Sequence, residues 1–100
     1  MNKFGNFGGG NMQQMMKQAQ EMQKQMDKVK EELAETAIEA TVGGGMVTVE
    51  MTGAYELINL KIKPEAVDPD DVEMLEDLII AATNEALTQV TAMRKEKLPL

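Results

Sequence analysis

The groups in this sequence that could carry chemistry are a carboxylate cluster, a glycine triplet and a scatter of threonine hydroxyls. Asp68, Asp70, Asp71, Glu73, Glu76 and Asp77 crowd one short segment. They lack the alternating ligands, central glycine and closing glutamate of a calcium loop. A helix start, where the dipole favours negative charge, accounts for them instead. Gly43-Gly44-Gly45 is followed by neither the lysine nor the hydroxyl residue of a phosphate loop. Thr36, Thr41, Thr48, Thr52, Thr83, Thr88 and Thr91 have no activating partner at a recognisable motif spacing. The chain contains no histidine and no cysteine, so the commonest general base, the commonest zinc ligand and every thiolate are missing. The expectation is a protein with no catalytic residues, no metal and no cofactor, and no small-molecule substrate.

Two other residue sets invite a binding role. Met12, Met15, Met16, Met22 and Met26 form a thioether stripe. It reads as a packing seam, or as a pliable groove for a partner, since methionine surfaces adapt to varied targets. Thioether metal binding with no Cys or His nearby is the weakest of the three readings. The second set is basic. The net charge of −7 speaks against a polyanion as partner, but the charge is unevenly spread. Residues 1–30 hold five lysines against two carboxylates, a net of +3, while residues 31–100 hold five basic groups against fifteen acidic ones, a net of −10.

These residues need elements to position them. Met12, Met15, Ala19, Met22, Met26, Val29 and Leu33 recur at alternating spacings of three and four, the seam of a coiled coil. With Asn11 as N-cap, the spacing predicts one helix from about Asn11 to Glu35, preceded by a flexible Gly/Asn/Phe tail over residues 1–10. Alternation then predicts strands at 37–42, 46–51 and 54–63, with Gly43-Gly44-Gly45 and Thr52-Gly53 as the turns of a three-stranded antiparallel meander. In the third strand Ile58, Leu60 and Ile62 read as one face, and Leu57, Asn59 and Lys61 as the other. Pro64 ends it. Asp68 as N-cap and Pro69 at the first helical position open a second long helix, closed by Arg94, Lys95 and Lys97 in its last turn and by Pro99. The fold class is α+β, in the order α-β-β-β-α: one domain over 11–97 between the tail and a short C-terminal stretch, 98–100.

With Met12 at position a, Lys17 and Lys24 fall at f and Lys28 at c, on the outer face of the helix. A solvated helix face is the commoner explanation of such a stripe. If the two helices pack antiparallel, these lysines share a pole with Arg94, Lys95 and Lys97, and the 68–77 carboxylates gather at the other. A helix of about 37 Å is longer than a small domain is wide, and a three-stranded sheet leaves two open edges. Both arguments predict a homodimer. No stretch has the roughly 18 apolar residues of a membrane span, and residues 1–10 are not a signal peptide. A protein of the cytoplasm is expected, with no membrane partner.

The Met/Gln/Lys helix with its Gly/Phe/Asn start, the hairpin GGGMVTVEMTG at 43–53 and the run KIKPEAVDPDDVEMLEDLIIAATNEAL at 61–87 resemble the YbaB/EbfC family, over about Asn11 to Glu96. DPDDVEMLEDLI at 68–79 is the most specific segment. The resemblance implies a tweezer-shaped homodimer that binds double-stranded DNA as a nucleoid-associated protein through the ends of its terminal helices. Here those ends are 11–30, with Lys17, Lys24 and Lys28, and 88–97, with Arg94, Lys95 and Lys97. The C-terminus, RKEKLPL, is shorter than the family's tail. A prefoldin-like chaperone or scaffold, gripping apolar segments with Met-lined helices, is the alternative from another class, although its layout asks for two longer helices.

Overall fold

The structure, a computed structural model, describes the backbone of residues 2–98 and the side chains of residues 11–98. Its elements run α1 (Asn2–Glu35), β1 (Ala37–Val42), β2 (Val47–Thr52), β3 (Leu57–Ile62), a 3-10 turn at Pro64–Ala66 and α2 (Val72–Lys97). The three strands form an antiparallel sheet in the order β1-β2-β3, the expected meander. Gly43, Gly44 and Gly45 all take positive φ in the β1–β2 turn, a conformation that suits glycine because it has no Cβ.

The core lies between α2 and one face of the sheet. Ala82, Ala86 and Val90 meet Ala40, Val47, Val49 and Met51, all buried. The i, i+4, i+8 spacing puts the three helical residues in one stripe, and two alanines among them let the helix lie close on β1 and β2. Thr41 and Thr48 hydrogen bond through their hydroxyls at 3.1 Å on the opposite, polar face. The footprint of α2 barely reaches β3, so Leu57, Ile58 and Leu60 remain exposed.

Four details depart from the sequence reading. The first helix begins at Asn2 and not at Asn11, which lies within it. No proline stands in residues 2–35 to force a break. The side chains of residues 2–10, and residues 1, 99 and 100, lie outside what the structure describes. In β3 an irregularity between Glu50 and Met51 sets Leu57 opposite Met51 and Leu60 opposite Val49. The extra residue, Ile58, shifts the alternation, so Leu57 joins Leu60 and Ile62 on the core-side face. The third correction is the start of α2. Asp68, Pro69, Asp70 and Asp71 make a turn in which the Asp71 N–H donates to the Asp68 carbonyl at 2.9 Å. The Asp68 carboxylate accepts from the Asp70 N–H. The N-cap is Asp71, whose carboxylate accepts from the Met74 N–H at 3.2 Å. Pro69 serves the turn, where its fixed φ is equally suitable. Asp71→Ala is therefore expected to cost about 1 kcal/mol, and Asp68→Ala less. Urea denaturation of the two variants checks the order.

The fourth concerns α1. It does not pack along α2. Leu33 is its only buried residue among those described, Met26 and Val29 are half-buried, and Met12, Met15, Met16 and Met22 stand open. The reason is local. A single residue, Thr36, links α1 to β1, and the apolar stripe of α2 is already spent on the sheet. At 34 residues α1 is about 51 Å long, and the chain measures 81 × 21 × 17 Å. An arm leaves the sheet at one end.

Candidate nucleic-acid interface

The root of the arm is built around Gly53. Its N–H is shared between the Leu33 and Thr36 carbonyls, both at 2.9 Å, and its own carbonyl accepts from Arg94 Nη1 at 2.7 Å. The Thr36 hydroxyl donates to the Glu32 carbonyl at 2.8 Å. Carbonyls that the end of a helix leaves without partners are thereby satisfied. The last turn of α1, the β2–β3 turn and the last turns of α2 meet at this joint.

That geometry distributes the charge. Leu78, near the start of α2, packs against Gly43 in the β1–β2 turn, and Asp71, Glu73 and Asp77 line a shallow concavity beside it. Arg94 reaches the β2–β3 turn, against which the root of the arm is held. The acidic end of α2 thus lies at one end of the sheet, and its basic end lies at the other, with α1.

Lys17, Lys24 and Lys28 are exposed along the arm. Lys28 lies nearest the root, while Lys17 and Lys24 stand farther out. It is the C-terminal end of α1 that comes close to Arg94, and not its N-terminal half as antiparallel packing would require. Lys95 and Lys97 are exposed in the last turn of α2. Arg94 is engaged differently: besides its bond to Gly53, its guanidinium lies 5.2 Å from the centre of the Tyr55 ring. Both contacts tie it to the fold.

Tyr55 escaped the sequence reading. Thr52, the only buried polar residue among those described, organises its turn. The Thr52 hydroxyl accepts from the Ala54 and Glu56 N–H groups, its N–H donates to the Glu56 carbonyl and its carbonyl accepts from the Tyr55 N–H. This network holds Tyr55 at φ 62°, the only positive φ outside glycine among the described residues. The Tyr55 and Thr91 hydroxyls share a hydrogen bond of 2.7 Å. Nothing in residue spacing marks a tyrosine for this conformation, which asparagine and glycine adopt more readily.

No helix of the described chain is long and apolar enough to cross a membrane. Comparison with known proteins gives a consistent answer. The model of a family described as the YbaB/EbfC DNA-binding family matches residues 8–99. A nucleoid-associated protein of Acetivibrio thermocellus is 56% identical over 85 residues, covering 85% of this chain and 75% of its own length. One from Pelotomaculum thermopropionicum is 50% identical over 90 residues, 90% of this chain and 86% of the relative. Among solved structures, the uncharacterized protein HP0035 of Helicobacter pylori superposes with a TM-score of 0.77 at 27% identity, over 84% of this chain and 88% of that one.

Proposed function

The chain belongs to the YbaB/EbfC DNA-binding family, and from that premise we propose that it works as a homodimer whose paired arms hold duplex DNA by its phosphates. It is a nucleoid-associated DNA-binding protein and not an enzyme, as its family and the names of its relatives have it. The observation that carries the finer reading is the arm itself. Its seam is apolar and open, with Met12, Met15 and Met22 each more than half exposed, while Lys17, Lys24 and Lys28 occupy positions off that seam. Exposed apolar surface arranged in a heptad asks for a second helix. The uncovered Leu57, Ile58 and Leu60 of β3 extend the demand to the sheet. A second copy satisfies both by symmetry. Pairing along the seam leaves the lysines outward on both arms, where phosphates attract them without regard to base sequence.

Sedimentation at micromolar concentration is expected to give a dimer, and Met22→Lys or Met26→Lys to weaken or dissociate it by putting a charge into the seam. A folded monomer, indifferent to both changes, would sink the assembly. A mobility shift on duplex DNA across a salt series tests the partner. Phosphate binding weakens steeply with salt, whereas gripping of apolar segments by a chaperone-like surface does not.

A further inference from the structure

The lysines of the arm leave unused the concavity at its root. Tyr55, Thr91, Arg94, Lys95 and Leu98 line it. We propose that this cup seats one phosphodiester group of the bound duplex, so that the DNA backbone is held at the root of the arm as well as along it. The inference rests on the DNA-binding reading, in which Arg94 and Lys95 already figure, and adds Tyr55 and Thr91 to them as one built seat.

Its donors converge from two elements. Thr91, Arg94 and Lys95 stand at i, i+3 and i+4 on α2, hence on one face, and Tyr55 comes from the β2–β3 turn. The Tyr55 and Thr91 hydroxyls own two hydrogens and share one hydrogen bond. Whichever donates, one O–H is left over for an outside acceptor. Arg94 gives one N–H to Gly53 and lies over the Tyr55 ring, so its plane is fixed while four of its five N–H groups have no part in that bond. Lys95 is exposed and adds a second positive charge. Glu56 and Glu96 are neighbours in sequence, yet among the described residues no carboxylate lines the cup. In a chain with a net charge of −7, a concavity whose described lining holds two cations, a spare hydroxyl and no acid fits an anion whose oxygens accept several hydrogen bonds at once.

The backbone points the same way. Tyr55 keeps a left-handed conformation that a glycine or asparagine would hold with less strain. Strain of this kind persists where the surroundings enforce it, and it gathers at ligand clamps. Here it delivers a phenol to Thr91 and a ring to Arg94.

The test uses the full-length protein in mobility shifts on two unrelated duplexes over a salt series, with circular dichroism as the folding control. Tyr55→Phe keeps the ring under Arg94 and removes the hydroxyl. Combined with Thr91→Val, which removes the other hydroxyl, it is expected to weaken both duplexes by about threefold to tenfold and to leave the salt slope unchanged, because a neutral donor displaces no counterion. Either change alone leaves the other hydroxyl free to donate, so each single loss should be smaller. Lys95→Gln should flatten the slope by about 0.9 for each cup engaged. A single variant that loses as much as the double one would make the pair a structural brace and overturn the cup. So would wild-type affinity in the double variant, or an unchanged slope in Lys95→Gln. If wild type itself ignores duplex DNA, the underlying reading fails. If wild type binds and only these variants are silent, the cup alone fails.

Discussion

Changing Lys17, Lys24 and Lys28 together to glutamate is expected to abolish duplex binding while the protein stays folded. All three side chains are exposed on α1, and none occupies the heptad seam, so the substitution removes no packing. Its effect is electrostatic. If each subunit neutralises about three phosphates and a dimer presents two arms, about six counterions' worth of DNA charge is engaged. The arms alone should then contribute about −5 to the slope of log K against log salt, at about 0.9 per phosphate. The triple variant reverses six charges in the dimer and should flatten that slope as affinity disappears. Two unrelated duplexes should suffer alike, since lysines on phosphates position the protein and read no bases. A folded triple variant that binds with the wild-type slope would remove the arm from the mechanism.

The parts of the fold that strong local chemistry dictates could be read in the chain. Three glycines in a row forced the β1–β2 turn, alternation of valine with threonine and glutamate marked β2, and the Ala82/Ala86/Val90 stripe lay plainly at helical spacing. What escaped depended on contacts distant in sequence or on competition between neighbouring signals. Asp68 and Asp71 are equally good caps by type, and only the turn through Pro69 decides between them. The added residue at Ile58 is invisible to a strict alternation, because an irregular ladder reverses the faces beyond it. The site shows the same division. Heptad position alone located Lys17, Lys24 and Lys28 on an outer face. The antiparallel embrace of the helices did not follow, because one linking residue and an already occupied α2 leave α1 to project. Charge alone groups Arg94 with Lys95 and Lys97, but a carbonyl 41 positions away claims it. Tyr55 carried no signal in its spacing, since its partner Thr91 belongs to another element.

Gly53 is where fold and function depend on one missing atom. A Cβ added there would stand 2.5 Å from the Leu33 carbonyl oxygen and 2.9 Å from its carbon. Both are backbone atoms, so no side-chain rotation relieves the clash. Gly53→Ala must push the end of α1 away, and with it weaken the bonds from the Gly53 N–H to Leu33 and Thr36. Leu33, buried at 1% exposure, would lose packing as the helix shifts. Losing a buried hydrogen bond and part of a buried leucine together places the cost at about 3 kcal/mol. The core between α2 and the sheet lies elsewhere and should survive, so the variant is expected to melt earlier while keeping its strands. Function should fall further than stability alone predicts. The arm lysines keep their charges, and the salt slope should remain steep, yet in the proposed dimer two arms no longer held at a fixed angle would lose the benefit of being preorganised for one duplex. The measurement pairs a denaturation midpoint with a salt series on the same preparation. A loss of stability below about 0.5 kcal/mol, the scale of an ordinary surface change, would show that the joint tolerates a methyl group. A destabilised variant with full affinity would show that DNA binding does not require the arm to be fixed at its root.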